Sequence, residues 1–199
     1  TDCGHNTGLA AQYVMMRANQ LFGVSGTLAC RGAGVPYAIA AALVFPGRQV
    51  VAVVGDGGLS MSLAELATVR KYDLPIKIVV INNSSLGQIQ WEQMMFLGHP
   101  EFGCALEPVN FARIAEGCGL KGLRITRSDE CAAIMDDAFA HAGPVLVDAV
   151  VDAAEPMLPP KRRATYVANM EKALQQMPSA RREIERAMQE EPARTALQP

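Results

Sequence analysis

A chain of 199 residues, half of them hydrophobic and 19% charged, is long enough to bury one sizeable core. With 18 basic and 20 acidic side chains its formal charge is -2, which excludes the one-sided basic excess of a nucleic-acid binder. Its longest apolar runs are too short to span a bilayer. The cysteines (Cys3, Cys30, Cys104, Cys118, Cys131) are odd in number and widely spaced, and neither they nor His5, His99 and His141 show zinc-ligand spacing. They read as reduced thiols of a cytoplasmic protein, with no signal peptide recognisable in the sequence.

Thr1-Asp2-Cys3-Gly4 reads as a loop that should follow a strand. No strand precedes it and there is no initiator Met, so the sequence reads as a piece of a longer chain. A helix is expected over residues 9–19, a short strand over 21–24, a second helix over 36–44 and a strand over 49–54. Ser62 is the expected N-cap of a helix over 63–72, with Glu65 reaching back in a capping box. That helix stops before Leu74-Pro75, because proline disfavours helix in the residue before it. A strand follows over 76–81, then a helix over 110–117, a short strand over 123–125, a helix over 129–141 and a strand over 144–151. Runs apolar on both faces, alternating with helical patterns, indicate a doubly wound α/β fold: a mainly parallel sheet with helices on both faces. The segment 155–160 holds three prolines and closes the domain, giving residues 1–157 as the domain and 158–199 as a Pro-containing linker and helical tail. In the tail Tyr166, Val167, Met170, Leu174 and Met177 recur at three- and four-residue steps, a stripe read as packing on this domain or a sister chain. The small basic cluster Lys161, Arg162 and Arg163 does not argue for membrane contact.

Two short motifs carry chemistry. Asp56 follows a buried strand between Gly55 and Gly57, with Gly58 next. In an open parallel sheet ligands bind at the carboxyl ends of the strands, where glycines let backbone N–H groups approach an anion. A carboxylate among anion-binding amides requires a cation between them, and Mg²⁺ shared between the carboxylate and phosphate oxygens meets that need. Asn82 and Asn83 end the next apolar strand, so one strand–helix–strand unit sets both motifs side by side. Asn83 can offer a neutral side-chain oxygen to the same ion and Ser85 a backbone carbonyl. Alone, Gly-Asp-Gly is usually a turn and Asn-Asn a strand end; their spacing is what makes them specific.

Gly-Asp-Gly followed at this distance by Asn-Asn resembles the thiamine diphosphate signature. The stretches 26–29 (GTLA), 32–37 (GAGVPY), 55–61 (GDGGLSM), 74–87 (LPIKIVVINNSSLG), 110–116 (NFARIAE) and 143–148 (GPVLVD) look like the diphosphate-binding C-terminal domain of the pyruvate oxidase and quinone-dependent pyruvate dehydrogenase group, a neighbour of acetolactate synthase. The resemblance covers roughly residues 1–160. It implies thiamine diphosphate and Mg²⁺ as cofactors, with Asp56, Asn83 and the Ser85 carbonyl on the metal. It places Gly55, Gly57 and Gly58 at the diphosphate, His5 and Asn6 nearby, and Ala29, Cys30 and Arg31 under the aminopyrimidine. Leu86, Gly87 and Ile89 also fall on the cofactor, while Gln88, Ile89 and Glu92 line the reacting face, Glu92 as a proton-handling or substrate-positioning group. The family usually has a bulky apolar residue where this chain has Arg31.

The activity implied is decarboxylation of a 2-keto acid such as pyruvate, either oxidative or, as the alternative, a carboligation of the acetolactate synthase kind. The resemblance also implies further domains on the same polypeptide, a homo-dimer or tetramer, and FAD, if used, bound outside this domain; alone, the fragment is expected to be inactive. A non-catalytic assembly module is a second reading. A Rossmann-like nucleotide site ranks lower, because no G-x-G-x-x-G opens a helix after a strand.

Overall fold

Four of the expected strands meet in one sheet in a computed structural model that describes residues 1–157 and 163–195. The elements in chain order are α1 (His5–Tyr13), α2 (Gly34–Val44), β1 (Val50–Gly55), α3 (Asp56–Met61), α4 (Glu65–Lys71), β2 (Ile76–Asn82) and α5 (Gly87–Glu92). A π-helical turn (Gln93–Leu97) continues α5. Then come α6 (Phe111–Gly117), β3 (Lys121–Ile125), a 3₁₀ turn (Ser128–Glu130), α7 (Cys131–Ala140), β4 (Val145–Val150), α8 (Ala164–Gln175) and α9 (Pro178–Thr195). The sheet order is β1-β2-β4-β3 and every neighbouring pair is parallel. This is the α/β fold expected from the alternating pattern, with a helical C-terminal region.

The chain divides into two compact units, residues 1–84 with 106–151, and residues 85–105 with the described residues from 152 onward. In the first, Ala52 and Val54 of β1, Ile76, Ile78 and Val80 of β2 and Leu146 of β4 bury one sheet face against Val35, Leu66, Val69, Phe111 and Ala115 of the helices. On the other face Ile125, Val145 and Val147 pack on Ala138 of α7. β2 carries a buried lysine, Lys77, whose ammonium donates to the carbonyls of His141 (2.6 Å) and Gly143 (2.7 Å) and so holds the turn between α7 and β4. In the second unit Trp91, Met94 and Met95 pack against Met170, Ala173, Leu174, Ile184 and Ala187 of α8 and α9.

Several local expectations need correction. The first helix runs from His5 to Tyr13 rather than over 9–19: Thr7 accepts the Gly4 N–H at its start, and beyond it Val14, Met15 and Met16 are exposed, so no buried apolar stripe continues the helix among the described residues. Residues 21–24 form no strand; Leu21 and Phe22 are exposed and make no ladder. The glycine-rich turn after β1 is itself the helix α3. The Ser62 capping box is absent. Glu65, Leu66 and Ala67 donate instead to the carbonyls of Ser62, Leu63 and Ala64 three residues back, so the N–H groups that a cap would serve are already bonded, and the Ser62 hydroxyl is buried without a partner among the described residues. The stop before Pro75 holds, through Asp73 in the left-handed region (φ 47). In the tail stripe Met170 and Leu174 are buried and Tyr166 and Met177 partly so, but Val167 is exposed and Ala173 takes the inward place. Lys161, Arg162 and residues 158–160 of the Pro-containing linker lie outside the described residues.

Candidate functional site

β1 and β2 run parallel with Gly55 opposite Ile81, so Asp56 and Asn82 leave adjacent strands at the same carboxyl edge, and Asn83 stands one residue beyond. Asp56 and Asn83 are both buried. Asp56 opens α3, and the Gly57 N–H donates to its Oδ1 at 2.9 Å. Gly57 and Gly58 are buried in the same first turn.

The two asparagines divide their work. Asn82 Nδ2 donates to the Val109 carbonyl (3.0 Å) and to Asp148 Oδ1 (2.8 Å), and its carbonyl accepts the Val151 N–H (3.0 Å). Asp148, fully buried on β4, also accepts from the Phe111 N–H (3.1 Å) and from Arg124 of β3 (2.5 Å). Beyond Asn83, Ser84 holds φ at 51 and its carbonyl accepts the Leu106 N–H at 2.8 Å. Asn83 is thus bracketed by pinned neighbours on a tight turn. Of the Asn82-Asn83 motif, Asn82 is held by structural hydrogen bonds, and Asn83, the asparagine expected to offer an oxygen, follows it.

The amino-terminal segment lies against the same edge. Asp2 N donates to the Val53 carbonyl (3.0 Å), and Asn6 Nδ2 donates to the Val53 carbonyl (3.1 Å), to the Asp2 carbonyl (2.9 Å) and to Thr1 Oγ1 (2.9 Å). His5, at the start of α1, is buried, and both of its ring nitrogens lack partners among the described residues. Burial pushes the His5 imidazole below its ordinary pKa, which keeps the ring neutral. A buried ring with unmet hydrogen-bonding atoms suits a polar ligand, because such atoms are otherwise costly to bury. The donor set fits as well: one carboxylate and a neutral amide oxygen are hard oxygen ligands of the kind Mg²⁺ takes, and they leave most of the ion's charge for phosphate.

The loop bearing Ala29, Cys30 and Arg31 meets this edge from a third direction. Ala29 (φ 48) and Gly32 (φ 80) are both left-handed, and Gly32 leaves only 3.1 Å between the Cβ it lacks and Met61 Cβ of α3. Arg31 is half-buried and makes no hydrogen bond or ion pair among the described residues.

Ser85, Leu86, Gly87, Gln88, Ile89 and Glu92 belong to the second unit. There the Leu86 N–H donates to the Cys104 carbonyl (2.8 Å), and Ser85 bridges Ala105 in antiparallel fashion. Ser85 Oγ donates to Gln90 Oε1 (2.8 Å). Gln88 and Glu92 lie four apart on α5, and Gln88 Nε2 donates to Glu92 Oε1 at 2.8 Å, so the candidate proton-handling carboxylate has a fixed rotamer partner.

Two residues central to this geometry, Asp2 and Asp148, were not anticipated. Asp148 had a readable signal: a single carboxylate inside a strand apolar on both faces must be paired. Asp2 had none, since an acidic residue in a loop is ordinarily solvated.

Residues 2–149 match the family described as thiamine pyrophosphate enzyme, C-terminal TPP binding domain. Among curated proteins the chain is 44% identical over 160 residues to YdaP of Bacillus subtilis (strain 168), a protein named as thiamine pyrophosphate-containing, covering 80% of this chain and 28% of that one. It is 34% identical over 164 residues to the large subunit of acetolactate synthase isozyme 2 of Escherichia coli (strain K12), covering 80% of this chain and 30% of the subunit. Among solved structures it resembles the thiamine diphosphate-dependent 4-hydroxybenzoylformate decarboxylase of Rhodococcus jostii RHA1, with TM-score 0.58 and 25% identity over 61% of this chain and 23% of that one. The chain therefore spans less than a third of the length of these relatives.

Proposed function

Since the chain belongs to the thiamine pyrophosphate enzymes, matching their C-terminal cofactor-binding domain, we propose that it anchors Mg²⁺ and the diphosphate of thiamine diphosphate in an enzyme that decarboxylates a 2-keto acid such as pyruvate. The observation that carries this reading is the placement of Asp56 and Asn83 beyond the ends of two adjacent parallel strands, both buried and both offering oxygen. In this reading the Asp56 carboxylate and the Asn83 amide oxygen hold the ion, and the amides of Gly57 and Gly58 face phosphate oxygens. His5 offers one ring nitrogen as donor to the same anion. Ala29, Cys30 and Arg31 support the ring of the cofactor, and Gln88, Ile89 and Glu92 face the substrate. Glu92, oriented by Gln88, holds or delivers a proton. When bound, thiamine diphosphate supplies the electron sink for loss of CO₂.

The oxidative reading, pyruvate oxidase or dehydrogenase type, is the one the sequence motifs suggest; FAD would then sit elsewhere on the full-length protein. The acetolactate synthase relatives support a carboligase as the second reading. In both, the remaining domains, a homo-oligomer and a cytoplasmic location complete the proposal. Calorimetric titration of the full-length protein with thiamine diphosphate and Mg²⁺ tests the anchor. Turnover of pyruvate with an artificial electron acceptor, against formation of acetolactate, separates the two reactions. Tight binding with no turnover of any 2-keto acid would point to a non-catalytic module instead, and absence of binding would remove the proposal.

A further inference from the structure

Asp2 is 1% exposed, its carboxylate makes no salt bridge among the described residues, and its two oxygens accept three main-chain N–H groups. Oδ1 accepts from Cys3 N (2.9 Å) and Ala33 N (3.3 Å), and Oδ2 accepts from Gly32 N (2.9 Å). The same carboxylate fills the space above α3: a Cβ on Gly58 would lie 2.0 Å from Asp2 Oδ2. Gly32 closes the triangle, since its own missing Cβ would lie 3.6 Å from the Gly58 carbonyl. The residue's main chain is fixed from behind, with its N–H on Val53 and its carbonyl accepting from Asn6 and from the Thr7 hydroxyl. One buried anion therefore joins three segments, residues 2–6, 30–33 and 55–58.

We infer that Asp2 is a positioning residue that locks the 30–33 loop onto the first turn of α3, so that the support for the ring of the cofactor is preset relative to the diphosphate anchor. The inference rests on the cofactor reading above. The physical basis is that charge-assisted N–H···O⁻ bonds are about twice as strong as neutral ones. An uncharged replacement loses both that strength and an acceptor. In Asp2→Asn one side-chain atom becomes an NH₂ group facing an N–H, a donor against a donor. The loop bearing Arg31 then loses its fixed register, while Asp56, Asn83 and the Gly57 amide are left as they were.

The test separates the two halves of the ligand. Thiamine diphosphate and inorganic pyrophosphate, each with Mg²⁺, are titrated into the full-length wild type and Asp2→Asn. The expected result is a thiamine diphosphate Kd raised by roughly 10–100-fold, the range seen for residues that orient ligating groups, with the pyrophosphate Kd unchanged within about twofold. Equal affinities of wild type and variant for thiamine diphosphate would overturn the assignment of Asp2, as would a matching loss for both ligands, which marks a general structural role. Wild type that binds neither ligand would sink the cofactor reading and this inference with it. If the variant fails to fold, hydrogen exchange of the unliganded wild type decides: the Gly32 and Ala33 amides are expected to be protected, and exchange at unprotected rates would overturn the lock.

Discussion

Asn82 donates its side-chain amide to the fully buried Asp148 carboxylate at 2.8 Å, across the parallel pair β2 and β4. Asp148 lies opposite Arg124 in the β3–β4 register and opposite Val80 in the β2–β4 register, so one carboxylate ties three strands just below the carboxyl edge. Asp148→Ala leaves the Asn82 amide and the Phe111 N–H short of an acceptor and Arg124 without its counter-charge. Removing one partner of a buried charged network costs about 3–5 kcal/mol. Because Arg124 remains partly exposed and can turn to water, the lower end is expected, about 3 kcal/mol, read from the midpoint of urea unfolding at unchanged m-value.

Asp56→Ala removes the one carboxylate of the proposed metal site. Outer-shell substitutions already weaken metal binding by roughly 10–100-fold, so loss of the charged ligand itself is expected to exceed that. Asn83→Ala, which removes a neutral oxygen, is expected to cost less. Mg²⁺ titration in the presence of thiamine diphosphate ranks the two, and equal effects would argue against their assigned roles.

Burial lowers the pKa of His5. The folded protein then binds fewer protons at this site than the unfolded chain. Its stability is complete above the unfolded value, about 6.5, and declines as pH falls through that value towards the lowered one. His5→Asn removes this dependence. The unfolding midpoint of the variant is expected to change less than that of wild type between about pH 7.5 and pH 5; parallel curves would show that the ring is solvated.

Gly122 of β3 is a glycine because α6 comes too close for anything else: a Cβ there would meet the Ala112 carbonyl oxygen at 2.2 Å and its carbon at 2.8 Å. Both are backbone atoms and cannot rotate away. Gly122→Ala is expected to destabilise by about 1–3 kcal/mol, the usual range for overpacking, whereas Gly103→Ala, with nothing within 4 Å but a positive φ of 69, is expected to show only backbone strain of about 1 kcal/mol.

The strands were legible because residues 49–54, 76–81 and 144–151 are apolar on both faces, a pattern with few other uses. The ends of the helices were less so. Ser62 and Glu65 have the residues of a cap, but the chain enters α4 directly from α3, and local carbonyls win the N–H groups. At the site, Asp56 and Asn83 could be named because strand ends and spacing put them together. What holds Asn82 could not be read from the sequence, because its acceptor Asp148 lies far along the chain. The work of Asp2 is invisible in the sequence, since the amides it receives belong to a loop thirty residues away and carry no side-chain signature.

Trp91 is the sole tryptophan of the sequence, and it sits fully buried with Met94 and Met170 in the helical unit. Its fluorescence is thus an optical label for one compartment of the chain, distinct from the strands whose ends lead to Asp56 and Asn83. Emission recorded during denaturation follows the helices around Trp91, while circular dichroism records all secondary structure together. The gap between the two curves measures how far the sheet unit and the helical unit unfold as separate events.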